Sequence, residues 1–196
     1  MRLLLPEYVR DGDVCLLSGP EGCGKTTLAA HVGIALVTGR PILGWATAEK
    51  PMPVYYVGPR EVAAVVNRVA RSMCGPLPPW FHDCTEIPVV NAGSLLILDR
   101  GRFAEGTSSP DLVDYVKDLR RIVAGTGAVL IVHPSTKGEG LGWSTLFALM
   151  DSVWAIEASA GRRLVHYKSR HEHPHQPIDL QLDPVVGIRA RRTVVY

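Results

Sequence analysis

The sequence predicts an α/β protein: a mostly parallel twisted sheet flanked by helices, with antiparallel strands at its C-terminal side. Three observations carry this. From Val14 to Met150, short apolar or β-branched runs alternate with helix-length amphipathic stretches, the pattern of successive βαβ units. The runs Ser94 to Leu98 and Ala128 to His133 are apolar without alternation, as in strands covered on both faces. Beyond Met150 the helical pattern stops and strand-like runs follow one another. With 196 residues against roughly 150 per domain, one domain over 1–196 is expected. A chain of this size buries about 70% of its unfolded surface and needs no staple.

Val14 to Ser18 is the first clear strand, and a glycine-rich loop follows it. Leu28, Val32 and Leu36 mark Lys25 to Val37 as a helix with one buried stripe, stopped by Thr38-Gly39-Arg40-Pro41. Pro53 to Gly58 reads as a strand and Glu61 to Met73 as a helix. Gly75 to Pro88 holds prolines 76, 78, 79 and 88 and reads as a surface loop. The apolar strand Ser94 to Leu98 ends in Asp99, and Gly101 to Ser108 is loop. Ser109 followed by Pro110 is a helix start, and Leu112, Val116, Leu119 and Val123 give that helix its stripe. Ala128 to His133 is the next buried strand, then a glycine-rich loop to Gly142 and a short helix from Ser144 to Met150. Ser152 to Glu157, Arg163 to Ser169 and Ile178 to Leu182 read as strands, the last two antiparallel. Val185 to Tyr196 reads as a terminal hairpin.

Composition narrows the class. The chain is 46% hydrophobic and 20% charged, which excludes a disordered tail or a fibrous repeat. No apolar run approaches the roughly 18 residues of a membrane span. Met1-Arg2-Leu3-Leu4-Leu5 begins like a signal peptide, but Pro6 and Glu7 end it, so no export is expected. Cys15, Cys23, Cys74 and Cys84 form no CxxC pair or zinc spacing, which suits a reducing, cytoplasmic setting. The net charge of +2 excludes a polycation, so any nucleic acid must be met by local clusters.

The chemistry concentrates in Gly19-Pro20-Glu21-Gly22-Cys23-Gly24-Lys25-Thr26, which fits G-x-x-x-x-G-K-[ST] without a mismatch, between a strand and a helix. Glycines let the backbone wrap a phosphate with its N–H groups inward, and the helix N-terminus adds partial positive charge. Residues Gly19 to Thr27 are therefore the candidate nucleotide cradle: Lys25 reaches the β- and γ-phosphates, and the Thr26 hydroxyl holds Mg²⁺. Asp99, closing a buried strand, completes the pair by orienting the Mg²⁺ shell through water. ATP and Mg²⁺ are the expected ligands.

Three stretches together resemble the RecA-fold ATPases of the RepA-like hexameric replicative helicase group of plasmids and phages. They are the loop continued through Gly39, Pro41, Gly44 and Trp45; the strand Leu95 to Asp99 with its loop and helix; and Val129 to Lys137 with Trp143-Ser144-Thr145, Asp151 and Tyr167-Lys168-Ser169-Arg170. The resemblance spans about residues 5 to 183 and implies a RecA-like P-loop NTPase, hydrolysing ATP between subunits of a homo-oligomeric ring and translocating on single-stranded DNA. It implies that His133 senses the γ-phosphate. The alternative for His133 is a strand-end turn cap. It implies that Lys137, in the loop Ser135 to Gly142, and the loop carrying Arg100 and Arg102 touch DNA, against mobile surface charges. It implies that Lys168 and Arg170 reach a neighbour's γ-phosphate as a finger pair, against ordinary charges on a solvated edge strand.

The chain departs from that pattern after its second strand. The family's catalytic glutamate follows the second strand directly, whereas this chain reads Tyr56-Val57-Gly58-Pro59-Arg60-Glu61. Glu61 is one position late and is either the base that activates water or a helix-opening acid. The rival functions are a filament-forming recombination ATPase, a slow or non-hydrolysing assembly module, and a small-molecule kinase; the last is weakened by the lack of an evident lid. His171-Glu172-His173-Pro174-His175 invites a metal, but Pro174 breaks the strand face. Arg189, Arg191 and Arg192 form a basic tail that either meets nucleic acid or keeps the edge soluble, the second being favoured, and Trp143 and Trp154 read as core.

Overall fold

The computed structural model describes residues 3–5, 9–44, 51–99, 109–123, 127–134, 141–158, 161–171, 175–183 and 187–190. A short antiparallel pair, β1 (Leu3–Leu5) and β2 (Val9–Arg10), precedes the main sheet. The elements then follow as β3 (Val14–Ser18), α1 (Lys25–Thr38), β4 (Val54–Val57), α2 (Arg60–Met73), β5 (Phe81–Cys84) and β6 (Leu95–Leu98). After these come α3 (Ser109–Ile122), β7 (Ala128–His133), α4 (Leu141–Leu149), β8 (Ser152–Glu157), β9 (Arg162–Ser169), β10 (Ile178–Asp183) and β11 (Gly187–Ala190).

Nine strands form one sheet in the order β11-β10-β9-β8-β3-β7-β6-β4-β5. From β8 to β5 all neighbours are parallel; β9, β10 and β11 add antiparallel. The predicted mixed sheet is therefore the observed one. The strand β7 lies between β3, which carries the glycine loop, and β6, which carries Asp99.

Alternation along the strands sorts the core into two layers. Cys15, Leu17, Tyr56, Ile97, Leu130 and Val132 face α1 and α2; Val14, Leu16, Tyr55, Leu98, Val129 and Ile131 face α3 and α4. The helix α1 carries more than the expected single stripe, because residues Thr27 to Val37 are all buried. It is enclosed by the sheet, α2 and β11, where the Ile188 N–H donates to His31 Nε2 at 3.3 Å. Gly33 lets α1 approach closely: a Cβ there would stand 2.8 Å from Phe81 and 3.1 Å from Ile97.

One local expectation is corrected. The proline-rich stretch 75–88 contains the edge strand β5, aligned with β4 from Val54↔Phe81 to Val57↔Cys84. Pairing to an exposed edge supplies hydrogen bonds that local composition does not encode, and Phe81 is the one fully buried residue of the strand. At the C-terminal side β11 pairs antiparallel with β10; most of the hairpin expected over 185–196, including residues 191–196 with Arg191 and Arg192, lies outside the described residues. No helix among the described residues is long and apolar enough to cross a membrane.

Candidate nucleotide site

The strand β3 delivers the chain to Gly19 at the carboxyl edge of the sheet, with β7 on one side and β8 on the other. Chain order reverses at that point, where parallel α/β sheets open a ligand crevice. Gly19 (φ 147°), Gly22 (φ 71°) and Gly24 (φ 107°) all hold positive φ. At Gly19 there is also no room for a side chain, because a Cβ would lie 2.6 Å from the Ile156 carbonyl oxygen. Gly24 precedes α1 in the left-handed region, and that helix start has no side-chain cap and no acid in its first turn. A helix N-terminus left without a carboxylate of its own suits an external anion.

The Lys25 ammonium folds back over the loop, donating to the carbonyls of Gly19 at 2.9 Å and Pro20 at 2.7 Å, 3.9 Å from Cys23 Sγ. Asp99 leaves β6 at the same edge, with its N–H donating to the Val57 carbonyl at 2.8 Å. Its carboxylate is buried, and Oδ2 accepts from the Tyr56 hydroxyl at 2.8 Å. That hydroxyl is also 3.5 Å from the Thr26 carbonyl oxygen, so one buried phenol spans the two residues expected to hold Mg²⁺. Burial foremost, and then the negative Asp99, raise the Tyr56 pKa and keep the phenol protonated. A carboxylate and a hydroxyl are the hard oxygen donors that Mg²⁺ takes, so Thr26 and Asp99 fit that ion.

His133 ends β7 opposite Ser18. Burial and the Lys25 charge hold its pKa below the ordinary histidine value, so the ring is neutral at pH 7. The structure thus gathers the loop Gly19 to Thr27, Lys25, Asp99 and His133 at one edge. Glu61 stands in the first turn of α2, near the end of β4 at that edge, and is exposed.

Lys168 and Arg170 lie elsewhere. The register pairs Lys168 with Val153 and Ser169 with Ser152, which puts both at the edge opposite the phosphate loop. The Lys168 ammonium donates to the carbonyls of Phe147 at 2.8 Å and Ala148 at 2.9 Å, capping the C-terminal end of α4. Burial foremost lowers its pKa, with Asp151 opposing. Arg170 pairs with buried Asp151 at 2.6 Å.

The histidine run is divided: His171 meets Asp13 Oδ1 at 2.9 Å, whereas His175 stacks on His166 with centroids 5.3 Å apart. Trp154 is core as expected, stacked on His166 at 4.0 Å. Arg100, Arg102 and Lys137, the candidate nucleic-acid contacts, lie outside the described residues, as do Glu172 and His173. Side-chain placement is likewise not described for Trp143 and Arg189.

Sequence reasoning missed Tyr56 and read it only as strand. The available signal was parity: of Tyr55 and Tyr56, only the second faces α1 and the phosphate loop. It also missed Asp151 as a charged anchor, which no local pattern marks.

No curated protein matches the chain. The AAA domain family matches residues 1–132, which include the phosphate loop, Asp99 and most of β7. With that match covering most of its length, the chain belongs to the AAA domain family of P-loop ATPases.

Proposed function

We propose that this ATPase is a nucleic-acid motor of the RepA-like helicase type, hydrolysing ATP between subunits of a ring, with hexameric symmetry, and moving on single-stranded DNA. The observation that carries the reading is the assembly of Lys25, Thr26, Asp99 and His133 at one sheet edge while Arg170 sits at the other. Arg170 is more than half exposed, and from the opposite edge it cannot serve its own phosphate loop. Its use in such a site would be in trans, where an arginine stabilises charge on the transferring phosphoryl group.

In this reading the loop N–H groups and Lys25 bind the phosphates, and neutral His133 presents a hydrogen-bonding ring beside them. Thr26 and Asp99 would hold Mg²⁺, which neutralises phosphate charge when bound. Glu61 accepts a proton from the attacking water. The loops with Arg100, Arg102 and Lys137 contact the DNA backbone.

The test is ATP hydrolysis and particle size with and without ATP, Mg²⁺ and single-stranded DNA. A ring that forms with nucleotide and a hydrolysis rate raised by DNA support the motor. A monomer whose hydrolysis ignores DNA contradicts it. The second reading is a nucleotide-gated assembly module that turns over slowly or not at all, favoured by the exposure of Glu61 and by Gly58-Pro59-Arg60 where a carboxylate would stand. It predicts assembly with ATP but no hydrolysis, and no change on Glu61→Gln.

A further inference from the structure

We propose that Tyr56 is a positioning residue for the metal side of the site, fixing Asp99 toward the first turn of α1 so that Thr26 and Asp99 meet Mg²⁺ as a preset pair. This rests on the ATP·Mg²⁺ reading above and adds to it a residue outside the loop motif.

The geometry is specific. Tyr56 is fully buried, so its hydroxyl has no water to turn to. Its ring is held in the α1-side core and stacks near Phe81, with centroids 6.0 Å apart. The phenol carries one hydrogen, and the 2.8 Å contact directs it to Asp99 Oδ2 rather than to the Thr26 carbonyl at 3.5 Å. An ionised carboxylate accepts about four hydrogen bonds, so this donor orients the group and leaves the other positions for a metal's water shell. Adjacent Tyr55 cannot substitute, because it faces the other layer and accepts from Asn91 Nδ2 at 2.9 Å. Outer partners of this kind orient ligands, and removing one costs roughly 10–100-fold in metal affinity or activity. A tyrosine that merely found the nearest acceptor would affect folding stability and nothing else.

The experiment is a Mg²⁺ titration of the binding of a fluorescent ATP analogue to the full chain. It is run on the natural protein, Tyr56→Phe, Tyr56→Leu, Asp99→Asn and the double variant Tyr56→Phe/Asp99→Asn. Thermal unfolding in EDTA identifies which variants fold, and either Tyr56 variant suffices. The expected result is metal-free binding within about twofold of the natural protein and a Mg²⁺ midpoint raised roughly 10–100-fold. In the Asp99→Asn background the Tyr56 effect should vanish, as for two residues acting through one contact. An unchanged midpoint, or a shift that persists undiminished beside Asp99→Asn, overturns the role. If the natural protein itself binds no ATP analogue, the nucleotide reading fails and this role with it.

Discussion

Arg170 and Asp151 join the last long strand to the centre of the sheet. The Arg170 Nη1 is 2.6 Å from Asp151 Oδ1, and its backbone N–H donates to the Asp151 carbonyl at 2.7 Å. The other carboxylate oxygen, Oδ2, accepts from the Val14 N–H at 2.9 Å and pairs with Arg120 at 2.8 Å. One buried carboxylate therefore ties the start of β3, the helix α3 and the end of β9 together, 137 residues apart in sequence from Val14 to Asp151. The burden is unequal: Asp151 is 1% exposed and Arg170 is 58% exposed.

That asymmetry separates two substitutions. Asp151→Asn leaves two arginines facing a neutral group and weakens charge-assisted hydrogen bonds, so it should cost about 2–3 kcal/mol. Arg170→Ala removes a mostly solvated partner and leaves Arg120 and the Val14 N–H on the carboxylate, so it should cost less, about 1–2 kcal/mol. Denaturant unfolding of both variants checks the order. In the ring reading, Arg170→Ala also abolishes turnover while ATP binding stays intact; normal turnover in that variant would remove the finger.

Gly33→Ala tests the close approach of α1 to the sheet. Alanine gains up to about 1 kcal/mol of helix propensity over glycine, but overpacking a filled core costs about 1–3 kcal/mol. A new Cβ at 2.8 Å from Phe81 makes the second effect the larger. A net loss of about 1 kcal/mol is expected in thermal or denaturant unfolding. A more stable variant would mean that β5, on the sheet edge, yields freely.

Acid should weaken the fold in part through His133. Its folded pKa is lowered by burial and by Lys25, whereas the unfolded chain titrates near about 6.5. Below that value the unfolded state binds more protons, so the stability held by the neutral ring is present above pH ~6.5 and is lost as pH falls toward the folded pKa. His133→Asn should flatten the dependence of Tm on pH between about 7.5 and 5.5 relative to the natural protein. Parallel curves would show that the ring is not held neutral.

What the sequence revealed and concealed follows from contact range. The unit β3–loop–α1 was legible because a strand, its glycines and its helix are consecutive, and each leaves a local pattern. The strands β6 and β7 were legible because unbroken apolar runs have few other uses. The strand β5 was hidden, because its hydrogen bonds come from the edge of β4 rather than from its own residues. Tyr56 on Asp99, and Asp151 on Val14, are pairings between distant segments that only the folded register creates. Lys168 and Arg170 show the same limit: their partners, two carbonyls of α4 and the Asp151 carboxylate, come from the packing of β9 on β8 and leave no local pattern.

The central claim is that the edge formed by the loop Gly19 to Thr27, Asp99 and His133 is a working ATP site. Steady-state ATP hydrolysis with and without single-stranded DNA, on the natural chain and on Lys25→Ala, tests it most directly. In the proposed site Lys25 would supply charge-assisted bonds of about 1.5–3 kcal/mol each to phosphate oxygens, so its loss should weaken nucleotide binding by roughly 10–150-fold. Hydrolysis should be accelerated by DNA and abolished in Lys25→Ala. Hydrolysis unchanged in Lys25→Ala, with equal ATP affinity for both proteins, would contradict it.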